Sequence, residues 1–98
     1  MVIECKYEEV IINNKVYRNR PININNVITF DKKEINNRDA KNVPIIRFTS
    51  TLINKQGKGE LFDWLFESEK QRDEALETIK SKLGISTPLP FELPKSNL

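Results

Sequence analysis

Few side chains in this 98-residue chain could do chemistry, and histidine is absent. Without histidine, a Ser-His-Asp or Cys-His arrangement, a histidine general base and a histidine metal ligand are all excluded. Cys5 is the only cysteine, so the chain by itself forms no disulfide and holds no zinc or iron–sulfur cluster. Cys5 alternates with Ile3 and Tyr7. This alternation favours a buried, inert thiol, because a reactive thiolate needs a positive environment or a base.

The acidic residues with the closest spacing are Glu67, Glu69, Asp73, Glu74 and Glu77. Paired carboxylates can act as general acid and base, but such an enzyme needs two acids facing each other in a concave pocket. The same acids at the start of a helix interact favourably with the helix dipole and with solvent, and we prefer this interpretation. We therefore predict no enzyme activity, no cofactor and no metal site. A carboxylate-only enzyme is the more distant alternative.

Two further features could bind a nucleotide or a nucleic acid. The segment from Lys55 to Gly59 could cradle a phosphate, but it lacks the spacing of a P-loop and precedes a strand, which favours an ordinary hairpin loop. Phe62, Trp64 and Phe66 alternate and could stack on bases. Because an amphipathic helix follows and needs a sheet to cover, we predict instead a buried aromatic face, with Trp64 packed against its neighbours and the helix.

The composition is that of one domain with nearly equal numbers of positive and negative charges. Sixteen Lys and Arg against 14 Asp and Glu leave a net charge of +2, and no segment has the dense basic excess of a phosphate-binding surface. The length suits one domain with a modest core. No apolar stretch approaches the roughly 18 residues that span a bilayer, and the first 20 residues do not read as a signal peptide. With one free thiol, this predicts a cytoplasmic protein.

The best-defined element is a helix predicted over residues 69–83. Ser68 is a good N-cap with Gln71 three residues later, and Gly84 can take the left-handed position that ends a helix. Its apolar stripe consists of Ala75, Leu76, Ile79 and Leu83. Arg72 lies on the apolar side, where we expect its stem to cover apolar surface and its head to stack on an aromatic ring or pair with an acid.

Alternating hydrophobic residues predict several strands before the helix. Residues 1–20 are predicted to form a hairpin around Asn13-Asn14, with an irregularity between Tyr7 and Val10. Further strands are predicted at 22–30, 43–52 and 61–66, with a polar, turn-like segment at 31–42. The sequence therefore predicts an α+β fold: an antiparallel curved sheet or small barrel, closed or covered by one C-terminal helix.

Residues 60–84 resemble the closing strand and helix of pleckstrin-homology-like domains. The matching residues are Trp64-Leu65-Phe66-Glu67-Ser68, then Gln71-Arg72-Asp73, then Ala75, Leu76 and Ile79. In that family an apolar strand leads through a serine-capped helix start into a helix that plugs an antiparallel barrel. The resemblance covers about a quarter of the chain and implies this barrel as the specific form of the fold. It implies no lipid-binding residue, because no basic signature matches.

After a single domain of residues 1–85, residues 86–98 are predicted to form an extended, proline-containing tail. Its prolines prevent a helix and favour a polyproline-like path. Its apolar residues Leu89, Phe91 and Leu93 turn the same way if the segment is extended. We therefore expect the tail to lie against an apolar surface, either on its own domain or on a partner.

These observations predict a small non-catalytic interaction module that binds protein, with an unknown partner protein or a second copy of the chain as the ligand. The candidate interaction residues are Arg47, Lys55, Lys58, Leu89, Phe91 and Leu93. The alternative is weak single-stranded nucleic-acid binding through a sheet face. The position of Arg47, Lys55 and Lys58 relative to exposed aromatic rings distinguishes the two functions.

Overall fold

The computed structural model describes residues 1–38, 40–84 and 91–92, the last two by their backbone. The elements are β1 (Val2–Ile3), β2 (Glu9–Ile12), β3 (Lys15–Arg18), β4 (Ile22–Asn23), a 3-10 turn (Ile24–Asn26), β5 (Val27–Ile35), β6 (Val43–Ile53), β7 (Gly59–Leu65), α1 (Glu69–Leu83) and β8 (Phe91–Glu92). The strands pair antiparallel in three sheets, β1-β4, β2-β3 and β7-β6-β5-β8. The predicted α+β class is confirmed. Within the described residues the sheets do not close into the barrel that the sequence suggested.

The predicted Asn-Asn turn joins β2 to β3. Ile12 pairs with Lys15, and Asn13 and Asn14 between them have φ angles of 51° and 66°. Two residues with positive φ form the type I′ turn, whose twist matches that of the strands it connects. The hairpin is shorter than predicted, because β1 leaves it and pairs with β4.

Replacing Asn14 by glycine is expected to stabilise the protein by a few tenths of a kcal/mol to about 1 kcal/mol, because glycine adopts positive φ without a steric cost. Asn14→Val is expected to destabilise it by about 1–2 kcal/mol, the cost of the left-handed conformation for an ordinary side chain. Urea unfolding of the two variants and the wild type measures both shifts. Equal midpoints for all three proteins would contradict the type I′ turn.

Strand β5 extends through a segment for which we predicted a turn. Residues 31–35 continue the ladder with β6, from Asp31 opposite Arg47 to Ile35 opposite Val43. Their charged side chains are largely exposed and are tolerated on a strand near the edge of the sheet. The reversal is confined to residues 36–42, where the Asn36 side chain accepts a hydrogen bond from the Asn42 N–H at 2.9 Å.

The core lies between the four-stranded sheet and α1. Its buried residues are Ile3, Cys5, Ile22, Val27, Phe30, Ile46, Phe48, Trp64, Phe66, Ala75, Leu76 and Ile79. Trp64 meets Phe48 edge to face, with ring centroids 4.9 Å apart. On the opposite face of the sheet, Val43 and Ile45 pack against the β2-β3 hairpin. Near Val43, β6 is therefore covered on both faces, by the core on one side and by the β2-β3 hairpin on the other.

The aromatic strand is buried only in part. Trp64 and Phe66 are buried, as predicted, but Phe62 is 42% exposed. The apolar cluster that contains the helix residues includes Trp64 and Phe66 and stops short of Phe62. The prediction that all three rings form one buried face is therefore wrong at Phe62, because the helix covers only the C-terminal half of β7.

Helix α1 has the predicted bounds and the predicted caps. The Ser68 hydroxyl accepts the Gln71 N–H at 3.2 Å, and Gly84 has a φ of 67°. Arg72 is buried and has the structural role predicted: its Nε lies 3.1 Å from the Asp73 carboxylate and its Nη1 lies 3.3 Å from the Lys33 carbonyl oxygen. No helix among the described residues is both long enough and apolar enough to cross a membrane.

A buried asparagine ties three segments together. The Asn19 side-chain nitrogen donates to the carbonyl oxygens of Tyr7 at 2.8 Å and Leu65 at 2.9 Å, and its oxygen accepts the Leu65 N–H at 2.8 Å. The Asn19 backbone N–H donates to the Glu8 carbonyl. The Asn19 side chain thus hydrogen-bonds to the Leu65 backbone at the end of β7, as a neighbouring strand would. It also fixes the position of the segment between β3 and β4.

Candidate interaction groove

A cavity of about 290 Å³ opens between the β3-β4 connection and the end of the β6-β7 hairpin. Its lining includes the apolar residues Ile22, Val27, Leu52, Phe62 and Trp64 and the polar residues Arg18, Arg20, Asn23, Asn26 and Ser50. We refer to this cavity as the Phe62 groove. Its volume is at the lower end of the roughly 300–1,000 Å³ of small-molecule sites, so it suits a small group or a side chain better than a large cofactor.

One wall of the groove comes from an irregular stretch of the β6-β7 ladder. The span from Thr49 to Ile53 on β6 is matched by the shorter span from Leu61 to Gly59 on β7. Ser50 is buried there, and its hydroxyl accepts the Leu52 N–H at 2.9 Å. Such local bonds and bulges redirect the side chains that follow, and Leu52 faces the groove.

The same stretch requires a glycine. A Cβ atom at Gly59 would lie 2.6 Å from the Ser50 carbonyl oxygen, closer than real Cβ contacts. The close approach of β7 to Ser50 therefore depends on the missing side chain.

The opposite wall is the segment from Arg18 to Pro21, and hydrogen bonds from other parts of the domain hold its backbone. The indole N–H of Trp64 donates to the Arg20 carbonyl oxygen at 2.7 Å. The neighbouring Asn19 side chain is held by Tyr7 and Leu65. The backbone of this wall is thus fixed on both sides of Arg20.

Large apolar side chains stand exposed at the groove. Leu52 is 53% exposed, and Phe62 is the one largely exposed aromatic side chain among those described. Trp64 lies beside them and is buried. Leu61 has a similar exposure of 54%, but it follows the alternation to the opposite face of β7 and lines a different depression. The groove therefore combines a formed cavity with apolar surface left open to solvent.

The charge that faces the groove is positive. Arg20 has no ion-pair partner among the described residues, and Arg18 has only an exposed contact with Glu9 at 3.3 Å. Among the described residues, Asp63 is the one acidic residue that lines the groove, and its carboxylate binds the Arg47 guanidinium through two hydrogen bonds of 2.8 Å. These bonds raise the pKa of Arg47. The groove thus presents arginine charge without a free carboxylate to balance it.

The three basic candidate interaction residues from the sequence lie elsewhere. Arg47 is paired with Asp63 on the opposite face from Phe62, because the register places Phe48 across from Phe62 and Arg47 across from Asp63. Lys55 and Lys58 lie in the exposed β6-β7 loop, and Lys58 borders a wider depression of about 610 Å³ with Thr49 and Leu61. None of these basic residues lines the Phe62 groove.

The tail residues are described only in part. The backbone of Phe91–Glu92 pairs with β5, with Phe91 opposite Phe30 and Glu92 opposite Thr29. Leu89 and Leu93 lie outside the described residues. The role predicted for these three apolar side chains stays a prediction.

The loop at residues 55–59 is organised by its own side chains. The Asn54 carboxamide oxygen accepts the N–H groups of Gln56 at 2.9 Å and Lys58 at 3.1 Å, and the Asn54 carbonyl accepts the Gly57 N–H at 3.0 Å. A phosphate cradle needs such N–H groups free to point at the ligand. The loop therefore fits the hairpin connection that the sequence favoured.

Cys5, Glu34 and Glu69 are the remaining groups whose chemistry could matter among the described residues. Burial raises the pKa of the Cys5 thiol, which disfavours a thiolate. A hydrogen bond with Glu69 raises the pKa of Glu34, but both carboxylates are exposed and neither lines the groove. Within the described residues no three acidic or cysteine side chains are grouped so that they could hold a metal ion.

A hydrogen bond from the Tyr7 hydroxyl to the Glu74 carboxylate ties the segment after β1 to the helix. It raises the pKa of Tyr7 and lowers the pKa of Glu74. This structural role explains the hydrogen bond between Tyr7 and Glu74.

Comparison of the chain with protein-family models, with curated proteins and with solved structures finds no match.

Proposed function

We propose that this protein is a non-catalytic interaction module that binds a segment of a partner protein in the Phe62 groove. The observation that carries the proposal is the pairing of exposed apolar side chains, Leu52 and Phe62, with a cavity that already exists in the free domain. In protein interfaces a few side chains that fill well-packed, desolvated pockets carry most of the binding energy.

The size of the groove agrees with a weak and reversible contact. Full burial of a leucine or phenylalanine side chain contributes about 1.5–3 kcal/mol, and Leu52 and Phe62 are already about half buried. Association itself costs several kcal/mol, so burial of these two side chains alone would not hold a ligand, and a bound segment must make further contacts along the groove. We therefore expect a Kd no tighter than about 1 μM.

Single-stranded nucleic-acid binding is less well supported. Stacking surfaces present several aromatic rings flanked by basic side chains. Here the described side chains include one exposed ring, and Arg47, Lys55 and Lys58 do not line the groove with it. Arg18 and Arg20 do line the groove, but a single exposed ring offers one stacking position rather than several. Arg47 is also neutralised by Asp63. The criterion set from the sequence therefore favours a protein ligand.

A pleckstrin-homology-like form of the fold is part of the proposal. It is supported by the order of β7, the Ser68 cap and α1, with the helix packed on Trp64 and Phe66.

The test is selection from a random peptide display library with the whole protein as bait. Peptides recovered by the wild type are expected to bind Phe62→Ser at least about tenfold more weakly, a loss of about 1.4 kcal/mol, because the variant removes the exposed ring of the groove. Leu61→Ser is the matched control, since Leu61 is also exposed (54%, against 42% for Phe62) on the same strand but faces away from the groove. It should leave binding unchanged.

Three results would contradict the proposal. One is that the library yields no binding peptide. Another is that Phe62→Ser and Leu61→Ser bind the selected peptides as the wild type does. The third is a submicromolar, salt-sensitive complex with a single-stranded oligonucleotide, which would favour the nucleic-acid function because non-specific contact is typically only about 10⁻⁴–10⁻⁶ M.

A further inference from the structure

Resting on the proposed function, we propose that the Phe62 groove selects peptide segments in which a carboxylate lies next to an apolar side chain, and that Arg20 binds that carboxylate. The apolar group would contact Phe62 and Leu52. The ligand is therefore an acidic-apolar segment rather than any exposed hydrophobic sequence.

The balance of charge around the groove carries this inference. Of the two arginines at the groove, Arg20 has no acidic partner among the described residues. The single acid there, Asp63, is occupied by Arg47 through two hydrogen bonds. A neutral or basic ligand would leave the Arg20 charge without a partner near an apolar surface, whereas a carboxylate supplies the partner that the site lacks.

The fixed backbone at Arg20 makes it suitable as a specificity residue. Its carbonyl oxygen is held by the Trp64 indole at 2.7 Å, and the preceding Asn19 is buried and fully hydrogen-bonded. The following Pro21 restricts φ. The backbone from which the Arg20 side chain extends is therefore held in place beside the groove.

Arginine also has the geometry that this role needs. Its planar guanidinium binds a carboxylate through two parallel hydrogen bonds, as Arg47 binds Asp63 in this same domain. Both arginines are exposed, but Arg18 at the rim already shares its charge with Glu9 at 3.3 Å, whereas Arg20 has no acidic partner among the described residues. We assign selection to Arg20 and long-range attraction to both arginines.

The test uses three decapeptides that share a central leucine in a glycine-serine background. The leucine is flanked by glutamates in the first peptide, glutamines in the second and lysines in the third. Trp64 is the only tryptophan and lines the groove, so its fluorescence reports occupancy. The glutamate peptide is expected to bind the wild type at least about tenfold tighter than the glutamine peptide, which equals about 1.4 kcal/mol.

Arg20→Gln should abolish the preference for glutamate. Lys41→Gln removes the same charge at an exposed position in the turn before β6, outside the groove, and should retain the preference. Equal binding of the glutamate and glutamine peptides to the wild type would overturn carboxylate selection while leaving the proposed function intact. Binding of none of the three peptides would overturn carboxylate selection as well. If the library selection also yielded no peptide, the proposed function would be overturned. If the library yielded peptides without acidic residues, the proposed function would stand and only carboxylate selection would be overturned.

Discussion

Trp64→Ala is expected to cost about 3–5 kcal/mol of folding free energy, the range for deleting a large aromatic side chain from a core. Trp64 is 2% exposed, meets Phe48 edge to face and belongs to the same apolar cluster as Leu76 and Ile79 of the helix. Its loss removes part of the packing between sheet and helix and leaves the Arg20 carbonyl without its donor. Chemical unfolding followed by circular dichroism measures the cost without the missing fluorophore.

Trp64→Phe separates the two parts of this effect. The variant keeps an aromatic ring in the core but loses the indole N–H that binds Arg20. A cost of about 1–3 kcal/mol is expected, the penalty for one buried unsatisfied polar group. If Trp64→Ala itself cost less than about 1 kcal/mol, the ring would not be part of the core, and a stacking surface for nucleic acid would have to be reconsidered.

Asn19→Ala is expected to destabilise the protein by about 2–5 kcal/mol, because it leaves two carbonyl oxygens and one N–H without their partner at about 1–3 kcal/mol each, reduced where water reaches them. These groups belong to Tyr7 and Leu65. Asn19→Asp should also be destabilising, since a carboxylate keeps the acceptor but cannot donate to the carbonyls.

Asn25→Ala is the control for Asn19. Asn25 is exposed, and its substitution should change stability by no more than about 0.5 kcal/mol. Urea unfolding of the three variants gives the comparison. Equal stability of Asn19→Ala and Asn25→Ala would show that the Asn19 hydrogen bonds do not hold the three segments together.

The elements that could be predicted from the sequence are those whose chemistry is local. Helix α1 has its caps, Ser68 and Gly84, within one turn of its ends. The β2-β3 turn depends on two adjacent asparagines that tolerate positive φ. In each case the deciding interactions join residues close in the chain, so the pattern predicts the geometry.

The elements that could not be predicted depend on distant partners. Residues 31–35 look like a polar turn, and they form a strand because β6 supplies the ladder. Asn19 carries no pattern that marks it as buried, since its partners Tyr7 and Leu65 are far along the chain. Tertiary context overrides local propensity at both places.

The groove was missed for the same reason. Phe62 and Leu52 alternate as core residues do, and only the extent of the helix and the irregular β6-β7 ladder leaves them exposed. No sequence pattern marked Arg20 as a binding residue, because a single arginine before a proline is an ordinary sequence feature. Of the residues that the sequence did single out, Arg47, Lys55 and Lys58 were chosen by their charge, and charge alone does not indicate where a residue lies in the fold. The other three, Leu89, Phe91 and Leu93, stay untested.

The central claim is that ligands bind at the Phe62 groove, and NMR shift mapping with a library-selected peptide tests it directly. We expect the single indole N–H signal of Trp64 to move on titration together with the amide signals of Leu52 and Phe62. Ile11 and Val16, an exposed apolar pair on the β2-β3 hairpin, serve as the internal reference and should not move. Shifts concentrated at Ile11 and Val16, with the Trp64 indole signal unchanged, would contradict the groove as the binding site.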